Sequence, residues 1–314
     1  MKIEHGMPFL LLAAGMAAGA DLRLGLVGTD TSHVTAFAAM LNDPAAKNHV
    51  PGARIVAAFQ GGSPDNATSA KYIDRYSDEL KTKWGVEFVN TIAGLCPKVD
   101  GILLTSVDGR PHLNEARQIF TCGKPVWIDK PLAATLEDAR EIARLAREKN
   151  IPWWTASSLR FAEMITELKG EPIAGAMTWG PGPFEEHHHL DLAWYAIHPI
   201  EMLYTLMGPG CVEVTRVHTP DADVITGRWK DGRVGTVRAM RPYGAYGAVV
   251  FRGREAAQSN PKSATGYRSM VVEIVKFFQT GKAPVPVDES LEIFAFMDAA
   301  LRSKNEGGKT VALR

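Results

Sequence analysis

Short apolar runs alternate with amphipathic stretches over residues 22–149, and this alternation constrains the fold more than any other feature of the sequence. The apolar runs, which predict buried strands, cover residues 22–27, 53–59, 86–89, 99–105 and 125–129. The stretches between them, which predict helices, cover residues 34–41, 67–84, 111–122 and 136–149. Strands that alternate with helices build right-handed crossovers, so we predict a doubly wound parallel sheet with helices on both faces.

The second half of the chain has a different pattern, which begins after Ile151 and Pro152. Longer strands are predicted over residues 173–179, 212–218, 224–229, 234–240 and 248–252. The Lys-Asp-Gly-Arg segment at 230–233 predicts a hairpin, and helices are predicted over 199–207 and near the C-terminus. We therefore expect an α/β domain over residues 21–150 and an α+β domain over residues 151–314, in which helices cover one side of an antiparallel sheet.

The first twenty residues resemble a secretory signal peptide. Lys2 precedes an apolar stretch over residues 7–20, and the small residues Ala18, Gly19 and Ala20 fit a cleavage site before the first strand. This pattern predicts a periplasmic or secreted protein, exported unfolded because no twin-arginine pair is present. The alternative is an apolar extension of a cytoplasmic protein.

Charge and cysteine content narrow the class of partner. The 314 residues carry 35 basic and 35 acidic side chains without a basic stripe, so nucleic acid is not an expected partner. After removal of a signal peptide, a membrane is not an expected partner either.

The chain has three cysteines, an odd number, and they lack the spacing of metal ligands. We therefore expect buried or half-buried thiols at Cys96, Cys122 and Cys211.

The turn after the first strand has the sequence Gly-Thr-Asp-Thr-Ser-His, over residues 28–33, where a dinucleotide-binding chain carries its glycine fingerprint. Gly28 supplies the first glycine, but Asp30 replaces the second, and an acidic side chain there repels phosphate. The hydroxyls of Thr29, Thr31 and Ser32 at the helix N-terminus could still hold a phosphate. Either Asp30 turns away to cap the helix and a nucleotide fits, or it points into the turn and the usual cofactor is lost.

The most specific motif is Asp129-Lys130-Pro131, which follows directly on an apolar run. The strand delivers Asp129 and Lys130 to its carboxyl end, at the crevice where open α/β sheets bind ligands. Pro131 fixes the direction in which the chain leaves. For the motif alone, a solvated surface turn is the alternative.

With its surroundings, this motif resembles the glucose–fructose oxidoreductase/inositol dehydrogenase (Gfo/Idh/MocA) family, whose usual Glu-Lys-Pro stands here as Asp-Lys-Pro. The resemblance covers nearly everything after residue 21, and its further matches are residues 99–105, His112, Gly123, Lys124, and residues 157–161, 291–303 and 308–313. It implies a Rossmann domain followed by an open-faced antiparallel sheet domain that binds substrate and forms a homo-oligomer. It also implies an oxidoreductase that uses NAD or NADP on a carbohydrate.

The resemblance implies roles for individual residues. Lys130 matches the lysine that faces substrate and nicotinamide, His198 matches the acid–base histidine, and Tyr195 is a third catalytic candidate. The cofactor-binding candidates are Gly28, Thr29, Asp30, Thr31, Ser32, His33, Gln60, His112, Asp129 and Lys130. The substrate-binding candidates are Arg160, His187, His189, Trp194 and Glu201.

His198 is expected at the start of a helix. Pro199 suits the first helical position, which would place His198 near the cap, where the positive end of the helix keeps the imidazole neutral. A neutral imidazole can act as a general base. Without the resemblance, a purely structural capping histidine is the alternative.

Three positions depart from the family's pattern. Asp30 replaces a fingerprint glycine, Gln60 stands where a ribose-binding acid is expected, and Trp194 replaces an aspartate four residues before His198. Together they argue against ordinary, exchangeable NAD binding, and a retained cofactor in a redox-neutral cycle would fit an exported enzyme. Two other functions stay open: a lyase or epimerase that uses Lys130 and His198 without hydride transfer, or a non-catalytic carbohydrate-binding module.

Three consecutive histidines occupy residues 187–189. Adjacent side chains of an extended segment point to opposite sides, so only His187 and His189 could share an ion, with Asp191 or His198 as a third ligand. We favour a polar rim of the cleft, to which Glu185 and Glu186 would also belong, and we predict no metal.

Overall fold

The structure of the protein, a computed structural model, describes residues 20–170 and 172–314. The predicted signal peptide, residues 1–20, lies outside the described residues except for Ala20. The described chain forms two sheets with helices packed on them. Among the described helices, none is long and apolar enough to cross a membrane.

Parallel strands form the first sheet. The strands are β1 (Leu22–Val27), β2 (Ala53–Phe59), β3 (Glu87–Val89), β4 (Gly101–Leu104), β5 (Val126–Ile128) and β6 (Trp153–Thr155). The helices between them are α1 (Ser32–Asn42), α2 (Ala67–Trp84), α3 (His112–Ile119) and α4 (Leu136–Glu148). All neighbouring strands pair in parallel in the order β3-β2-β1-β4-β5-β6, which confirms the doubly wound sheet. The order reverses between β1 and β4, and ligands bind at the carboxyl ends of such strands.

Polar side chains and glycines set the ends of these helices. Asn66 accepts hydrogen bonds from the backbone N–H groups of Thr68 and Ser69 at the start of α2, and Thr135 caps α4 in a similar way. Gly123, with a φ of 65°, ends the 3₁₀ turn that follows α3. The predicted helix ends lie close to the observed ones because these local signals are readable in the sequence.

The first sheet extends past the predicted domain boundary at residue 150. β6 begins at Trp153 and pairs with β5, although a three-residue strand after a proline has too little periodicity to be recognised. α7 (Arg268–Thr280) comes from the C-terminal part of the chain, and it packs back on the first sheet through residues such as Met270 and Ile274. Both halves of the chain therefore contribute to the first domain.

The second sheet contains the remaining strands, which are β7 (Gly175–Pro181), β8 (Cys211–His218), β9 (Ala222–Trp229), β10 (Val234–Met240), β11 (Gly247–Arg252), β12 (Glu255–Gln258) and β13 (Val311–Ala312). Their order is β12-β11-β7-β10-β9-β8-β13, and the predicted hairpin joins β9 to β10. One pair departs from the predicted antiparallel sheet, because β7 and β10 run parallel. Apolar periodicity predicts strands but not their partners, so the long crossover between β7 and β10 was not predictable.

Helices cover one face of the second sheet. α6 (Ile197–Met207) packs on β7 and β10, and α8 (Val287–Asn305) packs on β8, while the short α5 (Glu163–Thr166) precedes β7. On the opposite face, Met177, Val234 and Phe251 expose 41%, 48% and 39% of their surface. The second domain is therefore an open-faced sheet, as the family resemblance implies.

Cys96 and Cys122 form a disulfide bond, and Cys211 is a buried free thiol. The expectation of free thiols is therefore wrong for Cys96 and Cys122. The bond joins the end of the 3₁₀ turn that follows β3 to the 3₁₀ turn that follows α3, with Cα atoms 5.0 Å apart. A separation of 26 residues gives no sequence signal for pairing, because pairing depends on how the fold brings the two segments together.

Candidate active site

A cavity of about 490 Å³ lies where the first sheet meets the start of α6. The predicted site residues that line it are Asp30, Thr31, Ser32, His33, Lys130, Trp194, Tyr195 and His198. Six of the seven tyrosines of the chain also line it, and they are Tyr72, Tyr76, Tyr195, Tyr243, Tyr246 and Tyr267. The cavity therefore combines basic groups, which can exchange protons, with aromatic walls.

Lys130 follows β5 and extends toward the second domain. Its Nζ atom lies 5.8 Å from the ring centroids of both Trp194 and Tyr195. Burial lowers the pKa of Lys130, and the nearby Asp129 carboxylate opposes this shift in part. A lysine with a lowered pKa can exchange a proton closer to neutral pH than a surface lysine.

His198 is the second residue of α6, and its ring is held by Ser157. The Nδ1 atom lies 2.6 Å from Ser157 Oγ, which also accepts a hydrogen bond from the backbone N–H of Leu159 at 3.1 Å. Burial, with Lys130 and His33 as neighbouring basic groups, holds the pKa of His198 well below its usual value. The imidazole is therefore neutral at pH 7, as a general base must be.

The reason for this neutrality differs in part from the sequence expectation. α6 begins at Ile197, so Pro199 is its third residue and not its first. His198 lies within the first turn instead of at the cap. Desolvation is the largest cause of its lowered pKa.

His33 is the second residue of α1 and contacts Asp129, which directly follows β5. The Nδ1 atom of His33 is in short hydrogen-bond contact with Oδ2 of Asp129, whose Oδ1 accepts a hydrogen bond from the backbone N–H of Lys130 at 2.7 Å. The ring of Tyr267 packs edge-on against His33, with centroids 4.7 Å apart. Asp129 is almost completely buried and does not line the cavity, so it acts on the site through His33.

The sequence leaves two alternatives for Asp30, a cap of α1 or a side chain that points into the turn, and the structure matches neither of them in full. Thr31 caps α1, because its hydroxyl accepts a hydrogen bond from the backbone N–H of His33 at 3.4 Å. Asp30 is therefore not the cap. Asp30 is fully buried, and its Oδ1 accepts a hydrogen bond from the backbone N–H of Val107 at 2.9 Å. Its Oδ2 has no hydrogen-bond partner among the described residues, and burial raises its pKa.

The first glycine of the fingerprint is required by close packing. Gly28 has a φ of 87°, and a Cβ atom there would lie 2.3 Å from the backbone nitrogen of Ser106. Its peptide oxygen accepts a hydrogen bond from Thr105 at 2.6 Å. Gly28 therefore joins β1 to β4 and does not line the cavity.

Three other cofactor candidates lie beside the cavity without lining it. The hydroxyl of Thr29 is within 2.7 Å of Ser77 Oγ, and the side-chain amide of Gln60 donates weakly to Asp74 at 3.4 Å. His112 is fully buried, with its ring nitrogens 2.9 Å and 3.2 Å from the backbone oxygens of Ser106 and Leu132. His112 therefore holds two backbone segments together, because burial leaves it no access to a cofactor.

Arg160 and Glu201 form a buried ion pair and do not line the cavity. Their Nε and Oε2 atoms are 2.6 Å apart, and Arg160 also pairs with Glu289 at 2.6 Å. The structure therefore does not place these two residues in contact with a substrate in the cavity, because their charged groups pair with each other. Glu201 also accepts the backbone N–H of Ser157 at 3.2 Å, so the pair supports the residue that holds His198.

The histidines at 187–189 alternate in direction, and the inward one is His188. Its Nε2 lies 2.9 Å from Oδ1 of Asp108, and its ring packs edge-on against Trp194. His187 and His189 are exposed outside the cavity, with His187 bound to Glu185 at 2.6 Å. In the described residues, no group of three or more His, Cys, Asp or Glu side chains is arranged to hold a metal ion.

Five of the tyrosines that line the cavity were not predicted as site residues. Tyr72 and Tyr76 lie on α2, whose pattern is that of an ordinary amphipathic helix. Tyr243, Tyr246 and Tyr267 lie in or beside loops of the second half, where spacing carries no signal. Only the fold brings them to the same cavity.

Comparisons with known proteins agree with this architecture. Residues 22–156 match the GFO_IDH_MocA model, described as an oxidoreductase family with an NAD-binding Rossmann fold. A 1,5-anhydro-D-fructose reductase of Ensifer adhaerens is 34% identical over 116 residues, which cover 34% of this chain and 34% of that protein. The chain spans about a third of the length of the curated relatives that it matches.

Solved structures resemble most of the chain in fold. The myo-inositol 2-dehydrogenase of Lactobacillus plantarum has a TM-score of 0.74 at 16% identity, covering 94% of this chain and 100% of that one. The myo-inositol dehydrogenase of Lactobacillus casei, solved with NAD(H) and myo-inositol, has a TM-score of 0.71 at 17% identity, covering 94% and 97%. Residues 22–156, which make up the first sheet and its helices, are therefore similar to the NAD-binding domain of the Gfo/Idh/MocA oxidoreductase family.

Proposed function

We propose that this protein is an oxidoreductase that moves a hydride between NAD or NADP and a hydroxyl-bearing carbon of a sugar or polyol. The observation that carries the proposal is the convergence of Lys130 and His198, from two domains, on one cavity. Both groups have lowered pKa values, a property of residues that exchange protons near neutral pH. The family of the first domain and the reductase and dehydrogenase activities named for the similar proteins support it.

The start of α1 fits the phosphate groups of such a cofactor. Thr31 and Ser32 line the cavity at this helix N-terminus, where the helix dipole attracts negative charge. Burial raises the pKa of Asp30, and the protonated carboxyl could donate a hydrogen bond from the unpartnered Oδ2 to a phosphate oxygen. The nicotinamide, when bound, accepts or returns the hydride.

Lys130 and His198 handle the proton of the reacting hydroxyl. Nδ1 of His198 is held by Ser157, which leaves Nε2 to accept that proton during oxidation. The Lys130 ammonium donates a hydrogen bond to the same oxygen and stabilises its developing negative charge. In the reductive direction His198 returns the proton.

The aromatic walls support a carbohydrate as the substrate. Trp194 and Tyr195 flank Nζ of Lys130 at equal distances, and Tyr246 packs edge-on against His198. Aromatic faces bury the apolar face of a sugar ring, while phenol groups bond its hydroxyls. The ring would then lie within reach of both acid–base groups.

The test begins with the protein as purified. We expect denaturation to release NAD(H) or NADP(H) near one per chain, or added nucleotide to raise the melting temperature. With myo-inositol and 1,5-anhydro-D-fructose as probes, Lys130→Met and His198→Asn should lower turnover by roughly 10²- to 10⁴-fold. Lys124→Met, six residues earlier in the chain, is the matched control and should leave turnover unchanged. Absence of bound nucleotide, together with no thermal shift, overturns the proposal.

A second candidate is a lyase or epimerase that uses the same pair without hydride transfer. It is favoured by the fingerprint itself, because Asp30 replaces a glycine and Gln60 gives no charged contact to a ribose. Its signature would be turnover of a ketone substrate that depends on Lys130 and His198 but not on added nucleotide.

The location that we propose is the periplasm or the exterior of the cell. The disulfide between Cys96 and Cys122 supports this, because such bonds persist in oxidising compartments. The apolar N-terminal stretch is the independent support. We expect a mature chain that begins near Asp21 and appears in the periplasmic or culture fraction. Recovery of the uncleaved chain in the cytoplasm would contradict it.

The partner that we propose besides the substrate is a second copy of the chain. The open face of the second sheet exposes Met177, Val234 and Phe251, which suits an apolar contact. Light scattering should show a dimer or larger oligomer, and Met177→Glu should shift it toward monomer. A monomeric wild type at micromolar concentration would contradict this proposal.

A further inference from the structure

His33 is a second histidine of the cavity, and hydride transfer as proposed does not use it. It lies on the first domain, at the start of α1, whereas His198 lies on the second, at the start of α6. Each ring is anchored through Nδ1, by Asp129 in one case and by Ser157 in the other. Both rings line the same cavity, with Lys130 as the third basic group.

The anchor of His33 fixes which ring nitrogen can meet a ligand. A carboxylate only accepts hydrogen bonds, so Nδ1 of His33 carries a hydrogen, and Nε2 is the ring nitrogen left to exchange a proton with a ligand. Oδ1 of Asp129 is in turn fixed by the backbone N–H of Lys130. Nε2 of His33 has no hydrogen-bond partner among the described residues, and its ring forms part of the cavity wall. This is the arrangement of a base held ready for a ligand.

The groups around His33 support such a role. Tyr267 packs against its ring from one side, and Phe37 from the next turn of α1 stacks on it at 5.6 Å. Lys130 and His198 are its basic neighbours across the cavity, and Asp129 and Asp30 are the acidic ones. Apolar packing restricts the motion of the ring, so a proton can be taken from a defined direction.

We propose that His33 is a second acid–base residue, which removes and returns a proton at the carbon next to the carbonyl carbon of an oxidised sugar. In this step the C–H bond breaks, its proton moves to Nε2 of His33, and its electron pair forms the carbon–carbon double bond of an enolate. The carbonyl oxygen takes the negative charge, which the ammonium group of Lys130 stabilises. Return of the proton to the carbon closes the cycle, so the step needs no oxidant or reductant.

This inference rests on the proposed function only for the origin of the ketone. Oxidation of a hydroxyl makes the neighbouring C–H acidic, and a second base is what an enzyme needs in order to use that acidity. Exchange, epimerisation or elimination next to the carbonyl would all begin with this step. Asp129 is a positioning residue for it, because it touches His33 and not the ligand.

The experiment follows exchange of the protons next to the carbonyl by NMR in D₂O, with 1,5-anhydro-D-fructose and 2-keto-myo-inositol as probes. We expect the mature protein to exchange them faster than buffer, and His33→Asn to slow this by roughly 100-fold or more. His49→Asn is the matched control, because Nδ1 of His49 contacts the backbone oxygen of Met40 and neither residue lines the cavity. It should exchange as wild type does.

Chemical rescue separates catalysis from folding. His33→Ala should lose exchange, and added imidazole should restore it in part, which a merely structural histidine would not allow. No exchange above buffer with either ketone, or full exchange in His33→Asn, overturns the inference. Exchange without any nucleotide binding would overturn the proposed oxidoreductase instead, and hydride transfer without exchange would overturn only the role of His33.

Discussion

The carboxyl group of Asp30 accepts a hydrogen bond from the backbone N–H of Val107 at 2.9 Å, which joins the turn after β1 to the loop after β4. In a glycine fingerprint this position leaves room for a pyrophosphate. Here the side chain occupies the space while its second oxygen stays unpartnered among the described residues. The protonation state of Asp30 therefore decides whether the turn repels or attracts a phosphate.

Asp30→Asn should tighten nucleotide binding at high pH. Rising pH ionises Asp30, whose negative charge then repels phosphate, whereas Asn keeps the acceptor for Val107 without the charge. One charge near a phosphate is worth ~1–4 kcal/mol, so we expect about a tenfold lower dissociation constant at high pH, where Asp30 is ionised, and a smaller difference at low pH, where it is protonated. Calorimetric titration with NADH measures both. Asp78→Asn, on the exposed side of α2, is the control, and equal affinities of wild type and Asp30→Asn at both pH values would contradict the prediction.

Glu115 should make the stability of the protein fall as pH rises. Burial raises its pKa to about 7, although Ser106 donates a hydrogen bond to it at 2.9 Å. The folded state therefore favours the protonated form. The contribution of protonated Glu115 to the free energy of unfolding is fully present below pH 4.5, and it is lost as pH rises through about 7.

Glu115→Gln should remove that pH dependence. The difference of about 2.5 pKa units corresponds to about 3 kcal/mol of unfolding free energy between pH 4.5 and pH 8. Urea unfolding at a series of pH values measures it, with Glu148→Gln at the exposed end of α4 as the control. Parallel stability curves for wild type and Glu115→Gln would show that the carboxyl does not titrate in this way.

Local signals allowed most of the first domain to be predicted. The observed β1, β2 and α2 have the predicted bounds, because apolar runs, Asn66 and Gly85 mark them. Pairing was not predictable in the same way: the parallel pair of β7 with β10 and the disulfide depend on contacts between distant segments. A periodic pattern contains no information about such partners.

The position of a candidate residue in the cavity could be predicted where a motif lies at a strand end or a helix start. Lys130 and His198 were placed in one cleft by the family resemblance, and both line the cavity. Arg160 and Glu201 were assigned to substrate, but each satisfies the charge of the other in the interior. The tyrosines were missed because loops bring them in, and His188 was missed because only the fold shows which side of an extended segment faces inward.

Removal of the disulfide should destabilise the folded protein. A crosslink that closes a loop of 26 residues is worth about 3.5 kcal/mol through the entropy of the unfolded chain. Cys96→Ser with Cys122→Ser should lower the unfolding free energy by that amount, while Cys211→Ala serves as the single-thiol control. A thiol count gives an independent check: denatured, unreduced wild type should show one thiol per chain. Three thiols would contradict the pairing.

The remaining thiol should react slowly in the folded protein. Cys211 is buried, and its pKa is raised to about 12 by burial and by the charge of Glu292. Ellman's reagent should therefore label it only after unfolding. Rapid labelling of the native protein would show that the start of β8 opens readily.

Arg160→Met should destabilise the fold more than it changes substrate affinity. It would leave Glu201 and Glu289 buried without a cation, at a cost of roughly 3–5 kcal/mol. Replacing both acids by Gln in the same chain should recover most of the loss, because the buried charges are then removed together. A large rise in KM with unchanged unfolding free energy would instead favour the substrate role.

Lys130 should control the titration of His198. Desolvation is the main cause of the lowered pKa of His198, and the positive charge of Lys130 lowers it further because it disfavours protonation of the imidazole. In Lys130→Met this repulsion is lost, and the pKa of His198 should move upward, which means that the ring protonates at a higher pH than in wild type. Titration of the ring by proton–nitrogen NMR follows this directly, with Lys124→Met as the matched control.

Because desolvation is the larger cause, the pKa of His198 should still remain below the usual histidine value in Lys130→Met. An unchanged titration in Lys130→Met would mean that the two groups do not share the cavity as the geometry indicates.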